Sequence, residues 1–589
     1  MRFAPIVSTA ALALVLSGCA TREAGREEIV LTGAKAGADE QNATDAVDEP
    51  ADIVVATRDA PPPPPPPAPS PMSYPQPVPT MTGAMVSPPM MAAPSRGYKV
   101  ARQGDARAYI PSVVVPADPG NERYDGKTVS PVHLVASEPV STFSVDVDTG
   151  AYANSRRFLS QGRMPPADAV RSEELVNYFR YDYPLPATRE TPFSVTTDVA
   201  TTPWNPATRL LRIGLRGYDL PRSARPPANL VFLIDVSGSM GEADKLPLVK
   251  TALAGLADQL GPQDKVSIVV YAGAAGLVLP ATGDRREIVS ALDRLSAGGS
   301  TAGGAGLQLA YQVARDNFIK GGVNRILLAT DGDFNVGVSD NKALIAMVEK
   351  ERDAGVTLTT LGFGQGNYNE AMMEQVADHG NGNYAYIDTA LEARKVLAEQ
   401  MSSTLFTIAK DVKIQVEFNP AKVAQYRLLG YENRALREED FNNDKVDAGD
   451  IGAGHQVTAI YEIVPAGAKG WIEPRRYGDA PVAAGKGSEL AFVKLRYKLP
   501  DGTTSKLIER AVPATLLASA SAPRGDMALA TAVAAFGQKL RGDPLLGNLT
   551  YAGIASLADG QRDYYRQEFA KLVAIAGSLD TRGNEVASR

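Results

Sequence analysis

The chain has 589 residues, room for about four domains at ~150 residues each. Its 60 Lys+Arg against 67 Asp+Glu give a formal charge of −7, so it offers no basic field to a phosphate backbone, and no nucleic acid is expected as a partner. A single cysteine, Cys19, rules out an intrachain disulfide and a cysteine-built zinc site; the three histidines (His133, His379, His455) are far apart and form no H-E-x-x-H pattern.

Arg2 gives a short positive start, and residues 6–16 form an apolar stretch too short to span a bilayer. Small residues and the only thiol follow: Leu16-Ser17-Gly18-Cys19. This run resembles a bacterial lipobox, which implies that residues 1–18 are a signal peptide, that cleavage falls before Cys19, and that acyl chains on Cys19 anchor the protein in a membrane. An ordinary secretory signal would equally take the chain out of the cytosol. Ala20 stands where an Asp would resemble an inner-membrane retention signal, which favours the outer membrane, on its periplasmic or surface face. Beyond the N-terminus no apolar run is long enough for a transmembrane helix.

Residues 19–138 read as a disordered tether, rich in Ala, Gly, Pro and acidic residues. Residues 61–94 hold 15 of the 43 prolines, including the unbroken run 61–67, the composition of a semi-rigid polyproline II spacer. Residues 139–227 form an N-terminal module, with helical periodicity at 152–159 and 172–179 and then strand-like alternation at 192–218. From 228 to 406 strands and helices alternate. Strands are expected at 230–235, 266–271, 325–329, 357–363 and 383–387, with a short edge strand at 275–279. Helices are expected at 246–260, 286–295, 304–318, 341–354, 369–379 and 391–406. This is the pattern of an α/β domain with a doubly wound, mostly parallel sheet, whose ligands bind at the carboxyl ends of the strands. Residues 407–515 return to period-two alternation and suggest a β-sandwich-like module, with the strands at 192–218 as candidates to complete it; 516–589 are helical.

Three expected strand ends carry chemistry. Asp235-Val236-Ser237-Gly238-Ser239 closes the first strand; Thr301 follows 66 residues later in a glycine-rich loop, and Asp331, in Thr330-Asp331-Gly332, follows 96 residues after Asp235. All three loops should open at one sheet edge. Hydroxyls and carboxylates are hard oxygen donors that suit Mg²⁺, or Mn²⁺ or Ca²⁺, and two serines, one threonine and two aspartates leave a position for water or for another molecule's carboxylate. Ser300 stands beside Thr301, and spacing alone does not separate the two.

Residues 228–405 resemble a von Willebrand factor type A (VWA) domain with a complete metal-ion-dependent adhesion site (MIDAS). That pattern favours Thr301, and it implies that Ser237, Ser239 and Thr301 ligate the metal directly while Asp235 and Asp331 act mainly through water. The wider chain, from about 140 to 580, resembles YfbK-type bacterial proteins through Ser144-Val145-Asp146-Val147-Asp148-Thr149-Gly150, Glu174-Leu175-Val176-Asn177-Tyr178-Phe179, Gly430-Tyr431-Glu432-Asn433-Arg434 and Asp447-Ala448-Gly449-Asp450-Ile451-Gly452-Ala453-Gly454-His455. The expected function is a lipid-anchored binding protein of the cell envelope, not an enzyme, that captures an Asp or Glu carboxylate of a protein partner through a divalent cation. A structural scaffold whose metal only stabilises the fold is the alternative; a metal-dependent hydrolase would need a base that the sequence does not place beside the site.

Two adhesion-type tripeptides, Arg524-Gly525-Asp526 and Arg541-Gly542-Asp543, flank an expected helix and read as its N-cap and C-cap. Gly362-Phe363-Gly364-Gln365-Gly366 lacks the last glycine of a dinucleotide fingerprint, and neither a phosphate-binding P-loop nor a G-x-S-x-G elbow occurs.

Overall fold

The continuous apolar run after Pro227 becomes a strand buried along its whole length, β1 (Ala228–Asp235). Five more strands join it in one sheet: β2 (Lys265–Tyr271), β3 (Ala275–Thr282), β4 (Val323–Thr330), β5 (Thr357–Phe363) and β6 (Tyr384–Ile387), in the order β6-β5-β4-β1-β2-β3. All neighbours are parallel except β3, which runs antiparallel to β2 at the edge. The computed structural model describes residues 122–299, 303–332, 341–366, 368–473, 487–560 and 562–587, all within one unit, Ser112–Arg589. The signal sequence, Cys19, most of the expected tether, Ser300 and Thr301 lie outside the described residues.

Helices cover both faces of this sheet. On one face α1 (Leu246–Ala257) and α2 (Arg285–Asp293) bury Leu253 and Ile288 with Leu230, Phe232 and Leu327. On the other, α3 (Gly303–Asp316), α4 (Asn341–Asp353) and α5 (Glu370–His379) bury Leu307, Leu344 and Val376 with Val231 and Leu233. The single helix expected at 391–406 is three pieces, Ala390–Arg394, a wider π-turn Lys395–Glu399, and Met401–Leu405. The turn coincides with Lys395, which is buried and donates to the Tyr178 carbonyl at 2.9 Å instead of facing solvent.

The flanking strands form two further sheets. One has the order His133–Leu134, Val423–Leu428, Gln456–Pro465, Asn205–Gly217, Phe193–Thr202; the other runs Ala435–Leu436, Val140–Ser144, Thr407–Phe418, Glu489–Lys498, Lys506–Pro513. They pack face to face through Phe143 against Tyr461 and Phe418 against Tyr426. The segments expected to form separate N- and C-terminal modules are therefore interleaved, and the α/β domain is an insertion into one sandwich. Residues 122–138, read from sequence as the end of the tether, also lie on this body. His133 and Leu134 pair with Tyr426 and Gln425, Val135 is 1 % exposed, and Glu122 bonds Arg157 at 2.9 Å. A few apolar and charged contacts suffice to fix a segment whose composition alone reads as linker.

The outer face of the first of these sheets, with Leu210 and Ile460, is covered by Gly150–Ser160, Ser172–Asn177, Gly525–Leu540 and Tyr551–Leu557. Largely buried ion pairs tie together the α/β insertion, these helices and the loop that carries Arg434. Arg171 bonds Glu370 and Glu374 of α5, each at 2.8 Å. Arg434 reaches Asp378 at 2.6 Å and Asp148 at 3.4 Å, and Arg156 bonds Glu392 at 2.7 Å and Glu568 at 2.9 Å. No helix among the described residues is long and apolar enough to cross a membrane.

Candidate metal centre

The chain leaves β1 towards β2 on one side and comes back on the other at β4, so a crevice opens above the carboxyl ends of these two strands. Ile234 pairs with Ala329 in parallel register, which sets Asp235 beside Thr330 and brings Asp331 to the same edge. Both aspartates have no exposed surface, and Ser237 is 2 % exposed.

Asp235 organises the crevice. Its Oδ1 accepts from the Ser237 backbone N–H at 2.8 Å and its Oδ2 from the Thr330 hydroxyl at 3.1 Å. The first bond curls the chain after β1 so that the Ser237 and Ser239 hydroxyl oxygens come within 3.0 Å of each other. The glycine-rich loop is stitched to the same turn: Gly238 N–H donates to the Gly299 carbonyl at 3.0 Å, and Gly298 N–H donates to the Val236 carbonyl at 2.8 Å. Gly332 follows Asp331 with φ +91°, and a Cβ there would lie 2.5 Å from the Asn369 nitrogen. Glycine thus allows both the left-handed turn and the close approach of the loop that opens α5.

Burial pushes the Asp235 carboxyl above its ordinary range; the neighbouring Asp331 charge adds to the rise, and the bonds from Ser237 and Thr330 oppose it. Burial, with Asp235 close by, pushes the Tyr271 phenol well up. Asp331 meets a fixed positive charge, because Lys245 Nζ donates to its Oδ2 at 3.1 Å from a side chain only 5 % exposed.

Four of the five residues expected to serve the metal, Asp235, Ser237, Ser239 and Asp331, are thus gathered at one strand edge; Thr301 lies outside the described residues. The donors fit a hard divalent cation. The two hydroxyls face each other, and Asp235 is already engaged by neighbouring groups, as suits a carboxylate that acts through water. Sequence reasoning missed Lys245, Thr330 and Tyr271. Thr330 adjoins Asp331 and was within reach of the motif, but a lysine in a polar stretch before a helix carries no signal of burial.

The other features singled out from the sequence lie elsewhere. Asp526 sits in the first turn of Gly525–Leu540, not at its N-cap, and accepts from Arg566 at 2.8 Å. Asp543 is buried against Arg427 at 2.6 Å, with Gly542 in a left-handed turn at φ +75°. His379 lies 2.8 Å from Glu349 and His133 2.6 Å from Glu138, while burial lowers His455 to about 4.

Comparison with known proteins gives three family matches. Residues 229–400 match the von Willebrand factor type A domain, residues 403–579 match "Uncharacterized protein YfbK, C-terminal", and residues 118–212 match a family described as "von Willebrand factor". The chain is 50 % identical over 477 residues to "Uncharacterized protein YfbK" of Escherichia coli K12, covering 79 % of this chain and 82 % of that one. Among solved structures, a von Willebrand factor type A protein from Catenulispora acidiphila is 17 % identical and matches 64 % of this chain and 88 % of its own with a TM-score of 0.36. The conserved hypothetical protein BatB from Bacteroides thetaiotaomicron is 23 % identical over 30 % of this chain and 97 % of its own, with a TM-score of 0.27.

Proposed function

The chain belongs to the YfbK family and carries a VWA domain, and on that footing we propose that the crevice above β1 and β4 is a MIDAS through which the protein captures an acidic group of a protein partner. One observation carries the reading: the Asp235 carboxylate holds the turn that sets the Ser237 and Ser239 hydroxyls 3.0 Å apart, with Asp331 at the same edge. Ser237, Ser239 and Thr301 would hold Mg²⁺, Mn²⁺ or Ca²⁺ directly, and Asp235 and Asp331 would act through water. Bound there, a dication would supply a Lewis-acidic position for a carboxylate from outside the chain. The protein's own contribution is to fix the hydroxyls and to keep most of the donor set neutral, so that the loaded site still attracts an anion.

Binding rather than turnover suits this arrangement. Asp235 holds the Ser237 turn and the Thr330 hydroxyl, which suits a carboxylate that positions neighbouring groups. In the same reading Cys19 is the lipid-bearing residue, and the body stands off an envelope membrane, the outer one, on the proline-rich tether.

The experiment is affinity capture from detergent-solubilised envelope fractions in Mg²⁺ and in EDTA, with wild type and Ser237→Ala. Partners retained in Mg²⁺ and lost in EDTA and in the variant support the proposal. Identical capture in all arms contradicts it.

A further inference from the structure

Lys245 stands ten residues after Asp235, immediately before α1, and is 4 % exposed. Its ammonium donates to Asp331 Oδ2 at 3.1 Å. The stem that carries it there is fixed by Gly364, just after β5. That residue has φ +70°, and a Cβ on it would lie 2.4 Å from both Cγ and Cε of the lysine. Two separate features therefore serve this placement, a carboxylate that receives the charge and a glycine that makes room for its stem. Burying an ammonium is costly, and a neutral side chain would fill the same space without that cost. The charge itself is the feature to explain.

Two carboxylates and one ammonium give the crevice a formal charge of −1. A dication bound there raises it to +1, an arriving carboxylate returns it to zero, and without the lysine charge the loaded site would already be neutral. We propose that Lys245 sets the charge of the site: it weakens retention of the cation and keeps the loaded site attractive to an anion, so that affinity for the cation is exchanged for affinity of the loaded site for the partner carboxylate. This rests on the MIDAS reading. By linkage, the factor by which a carboxylate tightens cation binding equals the factor by which the cation tightens carboxylate binding. Neutralising Lys245 moves the two affinities in opposite directions and leaves that factor itself little changed, because loading adds two charges to the site with or without the lysine. The cation binds more tightly, by on the order of 10- to 100-fold for removal of a unit charge a few ångströms away in a partly screened site, and the loaded site holds a carboxylate less tightly, so acetate below saturation tightens cation binding less.

The test uses the full-length protein in detergent, with Mn²⁺ as the cation and acetate as the carboxylate probe. Bound Mn²⁺ is read from the loss of the free-ion electron paramagnetic resonance signal, for wild type, Lys245→Met, Lys245→Gln and Ser237→Ala. Met keeps the apolar stem, and Gln keeps a donor for Asp331. The expected result is tighter Mn²⁺ binding in both Lys245 variants and, at an acetate concentration below saturation, a smaller acetate effect than in wild type. Wild-type Mn²⁺ binding that Ser237→Ala removes, with unchanged or weaker binding in both Lys245 variants, overturns the role of Lys245 alone. Wild type with no Mn²⁺ binding sensitive to Ser237→Ala overturns the metal reading and this inference with it.

Discussion

Replacing Arg171 by Met tests how the α/β domain is held to the rest of the body. Arg171 is 6 % exposed and reaches Glu370 and Glu374 of α5, each at 2.8 Å, with Glu174 at 3.7 Å. Glu370 and Glu174 have no exposed surface. Met fills the space of the stem but leaves Glu370 and Glu174 without their cation and Glu374 with Arg434 alone, 3.2 Å away, and breaking a buried pair in this way costs about 3–5 kcal/mol. The loss should depend on pH, with a sign the structure fixes. Burial pushes Glu374 up to about 7 from 4.5 and raises Glu370, while Arg171 holds both down. Without Arg171 the folded state holds these protons still more firmly, whereas the unfolded chain releases them near the ordinary value. Folded stability of the variant therefore rises as pH falls. Between pH 7.5 and 5.5 each carboxylate that stays protonated in the folded state recovers up to about 2.7 kcal/mol, at 1.36 kcal/mol per pH unit. Urea unfolding of variant and wild type at both pH values measures the difference. Wild type shares part of this rise through its own Glu374, so a deficit of several kcal/mol at pH 7.5 that is smaller by about 1 kcal/mol or more at pH 5.5 is expected. A deficit equal at both pH values, or below about 1 kcal/mol throughout, would refute the reasoning.

Other perturbations have definite outcomes. Arg427 is 1 % exposed and pairs with Glu462 at 2.8 Å and Asp543 at 2.6 Å, so Arg427→Met should cost about 3–5 kcal/mol, and adding Glu462→Gln and Asp543→Asn should restore most of it in thermal unfolding; a triple variant no more stable than the single one would contradict this. Burial, with Glu432 and Asp146 near, pushes Glu173 up to about 7 from 4.5, so its stabilising contribution is lost as pH rises between those values; Glu173→Gln should flatten that slope and gain up to about 3 kcal/mol over wild type above pH 7, with no gain at pH 4.5. Gly332→Ala meets the Asn369 nitrogen at 2.5 Å in a left-handed turn, and it should lower the melting temperature and weaken Mn²⁺ binding together, as calorimetry and metal titration would show.

The central sheet was legible because its strands are buried on both faces and so appear as unbroken apolar runs, as in Leu230-Val231-Phe232-Leu233-Ile234. The site was legible for a related reason. In an open parallel sheet, function collects at the carboxyl ends of strands, and Asp235, Ser237, Ser239 and Asp331 each follow or close such a run. The interleaved sandwich was not legible. Alternation marks Val140–Ser144 and Thr407–Phe418 as strands but says nothing of the pairing of Phe143 with Ile414, which joins residues on either side of the whole α/β insertion. Buried charge was equally hidden, because Lys245, Arg171 and Arg427 look like surface residues until the fold supplies their partners.

Diffraction from crystals of the protein grown with Mn²⁺, recorded at a wavelength where manganese scatters anomalously, tests the central claim most directly. The account predicts an anomalous peak about 2.1 Å from the Ser237, Ser239 and Thr301 hydroxyl oxygens, a distance typical of hard divalent cations of this size, with Asp235 and Asp331 reaching it through water. Ordered density for all five side chains with no manganese among them would contradict it.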